Sequence, residues 1–508
     1  MEKKEIKILS RKSDLAKIQA QLVGSEISKK FPNLKIVYLT KITEGDIDKS
    51  SPLSQMETTG VFTDDLRQSL VKNECDIIVH SWKDLPIEIE RSTTIAGSIR
   101  RADERDILLV NKKNIKKIEA TKKISILSSS PRRIYNLKDF IQDFFPYDCN
   151  EIVFNNVRGN IPTRLKKLLN GESDALIVAK AAIDRLLNNP FKEFQELSKE
   201  IKSYIDQCLW MIVPLSINPS APGQGALAIE IKTNDKITEA IIKNISDPLS
   251  ITCVKKEREV LKKYGGGCHQ KIGVSLFPTF FGLVKCEKGE SEEGKKFYNW
   301  SILESKTNKN LIIKEDEIFP ETILDYKFFK RSVIKDSIHK INSLNNRCVW
   351  VSRKSALPRE ASLSSTNIIW ASGLKTWESL SSRGIWVNGC SDSMGEDFNP
   401  NITSLCQLPW IKLTHSKSIE SLIKDVIYTY ELVEEENLPN FTNKKYFYWM
   451  SSSAFKLAIT KEPKVLEAFH ACGPGNTFKE IKKMIKDPAK LSVHLSYDQW
   501  RKNLTNAR

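Results

Sequence analysis

Two short segments of this 508-residue chain carry side chains in settings where they can do chemistry. The first is VHSWKDLP, Val79 to Pro86. An apolar run that reads as a buried strand precedes Asp84, and Pro86 stops further pairing, so Lys83 and Asp84 fall on a strand-end loop. A carboxylate there can act as a general acid and as counterion to a developing cation. The same residue can equally do no more than cap a turn. The second segment is GGGCHQ at 265–270. Its glycines give the backbone freedom that other residues lack and leave the Cys268 thiol accessible, as a nucleophile or as the attachment point of a covalent cofactor. A glycine-flanked cysteine also serves as a plain structural turn. His269 is its neighbour, but adjacent side chains diverge on an extended chain, and the six histidines have no metal-ligand spacing, so no metal site is expected.

A third signal is spread along the chain. SSSPRR (128–133), VRGN (157–160), TRL (163–165) and DRL (184–186) each place an arginine near a strand end or in the first turn or so of a helix. Backbone N–H groups there also favour anions, and the Ser128–Ser130 hydroxyls add donors. Any one of these arginines can be a solvated surface residue. Together they are informative, because only 19 of the 79 basic residues are Arg and nine of those lie between Arg91 and Arg185. A planar guanidinium fork suits carboxylate or phosphate, so the expected ligand is a polyanion.

The elements that must hold these groups alternate. IKILS, a helix from Asp14 to Lys30, LKIVYLT, a helical FTDDLRQSLVKNE and CDIIVHS form one strand–helix series. After Arg101 a second series begins, with DILLV, KISILSSS, EIVFNNV and DALIVAK as strands. Such alternation predicts parallel sheets with ligands at the strand C-terminal ends. The expected organisation is a first domain from 1–100 plus 203–232, a second from 101–202, and a small α+β third from 236–310. A linker or helix over 311–345 then leads to a C-terminal α/β domain at 346–508, which holds seven of the ten tryptophans.

Composition narrows the class. Charged residues at 28% and apolar ones at 40% describe a globular chain with no span long enough for a bilayer. The amino terminus lacks an apolar signal core, and ten cysteines without a CxxC pair fit a reducing cytoplasm. The net charge of +16 is mostly lysine background. Basic residues are not interleaved with aromatics, so nucleic acid is not an expected partner, nor is a membrane.

Taken in order, these segments resemble the hydroxymethylbilane synthase (porphobilinogen deaminase) family over residues 5 to about 310. The carrying motifs are SRKSDLA, TEGD, GVF, DIIVHSWKDLP, RRADERD, SSSPRR, VRGNIPTRLKKL, GESDALIVAKAAIDRL, PSAPGQGALAIE and GGGCHQKIG. The resemblance implies two periplasmic-binding-protein-like α/β domains around a cleft. It implies a dipyrromethane cofactor on Cys268, held by Lys83, Ser128, Ser130, Arg132, Arg133, Arg158, Arg164 and Arg185. Asp84, with Lys83, becomes the catalytic group that protonates the leaving amine and stabilises cationic intermediates. Arg11, Ser13, Phe62, Arg158, Arg164 and Arg185 become the residues that bind porphobilinogen. Four porphobilinogens then condense head to tail in a monomer, releasing ammonia. Glu44, Gln55, Thr59, Leu127 and Ser128 depart from the family's usual residues, and Asp64 and Asp65 make the loop helix more acidic.

The tail is similar to uroporphyrinogen-III synthase in ASGLKTWESLSSRGIWV, FYWMSSSAFKLAI and ACGPGNTFKEIKKM, with Thr376, Tyr446, Ser452 and Thr477 as candidate residues. That resemblance implies closure of the bilane to uroporphyrinogen III. The alternatives are a non-catalytic tail and, for the whole chain, a non-enzymatic two-domain anion-binding protein.

Overall fold

The structure, a computed structural model, describes residues 3–42, 64–88, 90–265, 270–303, 313–418 and 422–505. The amino-terminal half contains β1 (Glu5–Arg11), β2 (Lys35–Lys41), β3 (Ile77–Ser81), β4 (Thr93–Gly97), β5 (Asp106–Asn111), β6 (Lys123–Leu127), β7 (Glu151–Asn155), β8 (Ala175–Ala179), β9 (Cys208–Val213) and β10 (Leu227–Lys232). They form two five-stranded sheets, ordered β2-β1-β3-β10-β4 and β7-β6-β8-β5-β9. The two orders are the same pattern. Three parallel strands are followed by one antiparallel strand, β10 or β5, that has just crossed from the other sheet. β5 and β8 are buried along their whole length, as expected of strands covered by helices on both faces.

The return crossing differs from the sequence expectation. The sequence places 203–232 in the first domain, but β9 pairs antiparallel with β5 from Asp106↔Val213 to Asn111↔Cys208, so it belongs to the second sheet. The chain crosses at 97–106 and again at 213–227. β9 and β10 are both apolar strands separated by a Pro/Gly segment, and their composition does not say which sheet each completes.

Three antiparallel strands follow, β11 (Gly273–Thr279), β12 (Gly282–Glu290) and β13 (Lys296–Leu303), with the helix Pro248–Lys263 against them. Glu257 of that helix is fully buried. It accepts both terminal nitrogens of Arg101 at 2.7 and 3.0 Å and the backbone N–H groups of Gly223 and Leu276.

The carboxy-terminal region comprises β14 (Ile318–Phe319), β15 (Phe329–Val333), β16 (Cys348–Val351), β17 (Ile368–Ala371), β18 (Gly389–Cys390), β19 (Trp410–His415), β20 (Val426–Glu434), β21 (Tyr446–Trp449), β22 (Phe469–Cys472) and β23 (Leu491–Val493). It is not one sheet but two, ordered β15-β20-β19-β16-β17-β18 and β14-β21-β22-β23. Residues 313–345 hold the expected helix, Asp336–Asn342, but the rest is not a linker: β14 pairs with β21, β15 pairs with β20, and Phe319 and Phe328 are buried in an aromatic core with Phe441, Phe447 and Trp449. Those two apolar residues sit among lysines and acids, so the segment's average composition concealed its two strands.

The six-stranded sheet continues the second sheet. The free edge of β9 faces the free edge of β18, and Asn388 joins them. Its N–H donates to Ile369 of β17, and its carbonyl accepts from Ile212 of β9 at 2.8 Å. Its side chain donates to the Trp210 carbonyl at 3.0 Å. One apolar cluster runs across the seam on each face: Phe140, Ile177 and Met211 pack with Val349 and Trp377 on one side, and Ile107, Val178 and Trp210 pack with Trp350 and Trp370 on the other. Among the described residues no helix is long and apolar enough to cross a membrane.

Candidate active site

After β3 the chain makes one tight helical turn, Trp82–Asp84. Trp82 anchors it, buried with Leu85, Ala226 and Val254, while Asp84 remains exposed. The segment Gly223–Gln224–Gly225 runs between this turn and Ala102. Gly225 has φ +84°, and a Cβ there would lie 2.4 Å from the Ala102 carbonyl oxygen, so only glycine fits. That close approach aims Gln224 inward. Its Oε1 accepts from Lys83 Nζ at 3.3 Å and from Arg133 at 3.4 Å, and its Nε2 donates to Asp106 at 2.9 Å.

Asp106, the first residue of β5, is the hub of the opposite wall. Arg132 and Arg133 donate to its two oxygens at 2.9 and 2.7 Å, and Asn218 adds a third donor at 2.9 Å. Burial alone raises a carboxyl pKa; here Arg133 and Arg132 outweigh it and hold Asp106 well below the carboxylate range. The helix Pro131–Phe144 presents both arginines because Ser130 caps it and Pro131 opens it. Ser128 is buried beneath, accepting from Ser130 N–H. The Nε atoms of Arg132 and Arg133 are buried without a hydrogen-bond partner among the described residues. Buried donors of this kind are what a polycarboxylate requires, so this wall fits a ligand bearing acetate and propionate groups.

Other cations complete the ring. Asn160 and Pro162 start the helix Ile161–Leu169, whose Arg164 donates to the Gly159 carbonyl at 2.8 Å. Burial, with Arg133 beside it, pushes Arg164 down to about 10, and Asp84 opposes that shift. Arg164 from the second sheet and Asp84 from the first therefore sense each other across the cleft. Arg158, at the end of the loop after β7, acts on Arg164 too. Arg185, on the helix Lys180–Leu187, donates to the Gly225 carbonyl at 2.7 Å, and burial lowers it to about 10. Burial likewise lowers Lys83, with Arg133 and Arg132 adding to the effect and Asp84 opposing it. Arg11 ends β1 and Ser13 caps the helix Asp14–Lys30, on the parallel neighbour of β3. Thus Lys83, Asp84, Arg132, Arg133, Arg158, Arg164, Arg185 and the two serines share one cleft between the sheets, with Arg11 and Ser13 at the strand end beside it. Cys268 and Phe62 lie outside the described residues, as do Glu44, Gln55 and Thr59.

Sequence reasoning missed Gln224 and Asp106. Both stood inside quoted motifs, PGQG and RRADERD, but an amide in a turn and an acid in a charge run carry no signal by type alone. It also missed a second cluster. At the ends of β16 and β19, Ser352 and Ser355 hydroxyls and His415 Nδ1 are buried without hydrogen-bond partners among the described residues. Burial first, then Arg353, Lys412, Arg331 and Lys417, pushes His415 down to about 4. Tyr326, whose hydroxyl accepts from Met450 and Ser451 N–H, faces this cluster from the other lobe. The available signal was VSRKS after the apolar CVWV, the same strand-end logic as SSSPRR. Of the tail candidates, Ser452 opens the helix Ser452–Lys461 next to Tyr326's partner Ser451, and Thr477 lies in the first turn of Asn476–Met484. Tyr446 is buried and stacks on Phe469, and Thr376 is buried 3.3 Å from the Ser372 hydroxyl.

Two sheets of one strand order, exchanging a strand each and lining their facing ends with guanidiniums, define a two-lobed α/β protein for a polyanionic ligand. Residues 6–240 match the family described as porphobilinogen deaminase, dipyrromethane cofactor binding domain. Curated relatives include a porphobilinogen deaminase of Chlorobium luteolum, 35% identical over 271 residues that cover 53% of this chain and 78% of the relative. A probable porphobilinogen deaminase of Picrophilus torridus is 36% identical over 283 residues, 55% of this chain and 89% of the relative. The chain belongs to the porphobilinogen deaminase family, and dipyrromethane is its cofactor. Among solved structures, a putative periplasmic sulfonate-binding protein of Methylobacillus flagellatus is 12% identical with TM-score 0.28, covering 52% of this chain and 73% of that one. At that distance the fold reading rests on the strand orders above.

Proposed function

We propose that this chain condenses four porphobilinogens head to tail into hydroxymethylbilane, with Asp84 as the proton-handling group. The observation that carries the reading is the exposed Asp84 carboxylate facing a ring of partly or fully buried guanidiniums from the other sheet. Each added pyrrole brings carboxylates, and the ring supplies counterions in fixed positions, without reorganisation as the chain grows. Bound through Cys268, the cofactor supplies the pyrrole end to which substrate is joined. Arg132, Arg133, Ser128 and Ser130 would hold its side chains, and Arg11, Ser13, Arg158, Arg164 and Arg185 those of incoming substrate, with Phe62 beside it. Asp84 would donate a proton to the aminomethyl nitrogen as it leaves and then stand as counterion to the resulting cation. Lys83, kept easier to deprotonate by burial and hydrogen-bonded to Gln224, would assist Asp84 and hold the carboxylates beside it. Residues 97–106 and 213–227 would be the hinges between the two lobes. The working form would be a cytoplasmic monomer.

The same reading extends to the tail: the cluster of Ser352, Ser355, Arg353 and His415 would seat bilane carboxylates while ring closure to uroporphyrinogen III takes place. Buried hydroxyls without a hydrogen-bond partner among the described residues, beside several cations, favour this over an inert tail.

Intact mass, with and without Cys268→Ser, tests the attachment: a wild-type chain lacking any two-pyrrole addition removes the reading. Asp84→Asn should keep that addition and lose ammonia release by about 10²-fold or more. Incubation with porphobilinogen followed by isomer analysis tests the tail, since largely isomer I means no working cyclase.

A further inference from the structure

The deaminase half and the tail meet where the cleft's cations are rooted. Helix Pro131–Phe144 carries Arg132 and Arg133 at its start, and its last carbonyl, Phe144 O, is capped from the tail. Trp377 Nε1 donates to it at 3.0 Å and Ser381 Oγ at 2.8 Å. The Trp377 ring packs edge-on against Phe140 and Phe144 at 5.5 and 5.9 Å, so the indole is wedged as well as bonded. Asp184, next to Arg185, accepts from Ser404 Oγ at 2.6 Å. Arg105, next to Asp106, donates to the Pro400 carbonyl at 2.7 Å and lies 5.9 Å from the Trp370 ring centre. Beneath all three contacts runs the Asn388 seam that joins β9 to β18. Two helices bearing cleft cations, and the strand start that bears Asp106, are thus each gripped by the tail.

We propose that the tail lobe containing β16–β18 is a working part of the bilane-forming site, with Trp377, Ser381 and Ser404 as positioning residues that set where Arg132, Arg133 and Arg185 stand. This inference is independent of any cyclase activity and rests on the arginine roles proposed above. A helix with both its end carbonyl and its flank fixed has one axial position. Released from the cap, the Phe144 carbonyl is left buried without a partner, and the helix gains freedom to slide or tilt. Small displacements of charge-binding groups are felt strongly in catalysis.

The test uses the full-length holoenzyme. The double variant Trp377→Phe/Ser381→Ala removes both donors while keeping an aromatic in the wedge, and Ser404→Ala removes the grip on Asp184. For each, cofactor loading is read by intact mass, and KM and kcat for porphobilinogen are read by ammonia release. The expected result is full loading with KM raised roughly fivefold or more for the double variant, and partial recovery when Ser381 alone is restored. Unchanged KM and kcat in a loaded protein, even one of lower thermal stability, overturn the proposal, because the contacts are then structural only. Arg164→Ala is the control for the underlying reading. If it too leaves KM unchanged, the arginine roles are wrong, and the seam is not what failed. Calorimetry of a Val349→Ala variant, altered in the tail's share of the cluster that crosses the seam, supplies a second readout. One transition that shifts as a whole supports a joint unit, and a separate tail transition overturns it.

Discussion

Replacing Asp106 by Asn changes little volume and removes the shared counterion of Arg132 and Arg133. Four donors converge on this carboxylate: Arg132 and Asn218 on one oxygen, Arg133 and Gln224 on the other. An amide supplies one acceptor oxygen and turns an NH2 toward two donors. Removing one partner of a buried pair costs about 3–5 kcal/mol. Arg132 retains the Asn218 side chain and the Pro219 carbonyl, so about 3 kcal/mol is expected, some hundredfold in the local opening equilibrium. In a chain of several units a single melting curve is ambiguous, and hydrogen exchange of the β5 and β8 amides reads the affected sheet directly. The dependence on pH carries a sign. Asp106 sits well below its unfolded value, so its contribution is full above about pH 4 and fades as the medium becomes more acid. The wild type and Asp106→Asn should therefore differ at pH 7 and converge in acid. An Asp106→Asn protein that exchanges like wild type at pH 7, or a gap that persists unchanged into strong acid, refutes the account of the cleft wall as a charge-balanced cluster.

Glu104 behaves in the opposite sense. Burial raises its carboxyl to about 7 despite Arg101, and its Oε1 has no hydrogen-bond partner among the described residues. Stability is lost as pH rises from the ordinary glutamate range toward 7, so Glu104→Gln should flatten that stretch of a denaturation-against-pH profile. Glu257→Gln loosens four donors at once, and proteolysis within 213–227 should accelerate by at least about tenfold. Ser352→Ala with His415→Ala should lower conversion of supplied hydroxymethylbilane to isomer III while leaving ammonia release from porphobilinogen unchanged. Equal loss of both activities would tie the second cluster to the first.

Local chemistry was legible in the sequence, and long-range partnership was not. Asp84 follows a buried strand and precedes a proline, which fixes a strand-end turn whatever the rest of the chain does. Ser130 followed by Pro131 fixes a helix start, and with it the placement of Arg132 and Arg133. The positions of Asp106 and Gln224 depend instead on which elements come together, over 26 residues in one case and 141 in the other. The sheet that β9 completes depends on an antiparallel partner a hundred residues earlier. Asn388 had no signal at all: its importance comes from lying between two strand edges that the sequence leaves far apart.

That seam has a geometric consequence for a two-site chain. Counting from β6, which leads into Ser128, to β16, which leads into Ser352, there are six strand steps through β8, β5, β9, β18 and β17. At about 4.8 Å per step the two strand ends are roughly 29 Å apart along the rim. β18 runs parallel to β9, since Asn388 meets Ile212 and Asp392 meets Ser216, so both ends open on the same rim. A sheet also twists by roughly 20–25° per strand, so six steps turn the rim through about a third of a revolution. The two mouths are therefore close but face different quarters of the solvent. On the function proposed above, a linear tetrapyrrole leaving one mouth would have to let go before the other could take it, and an external trap should then intercept part of it.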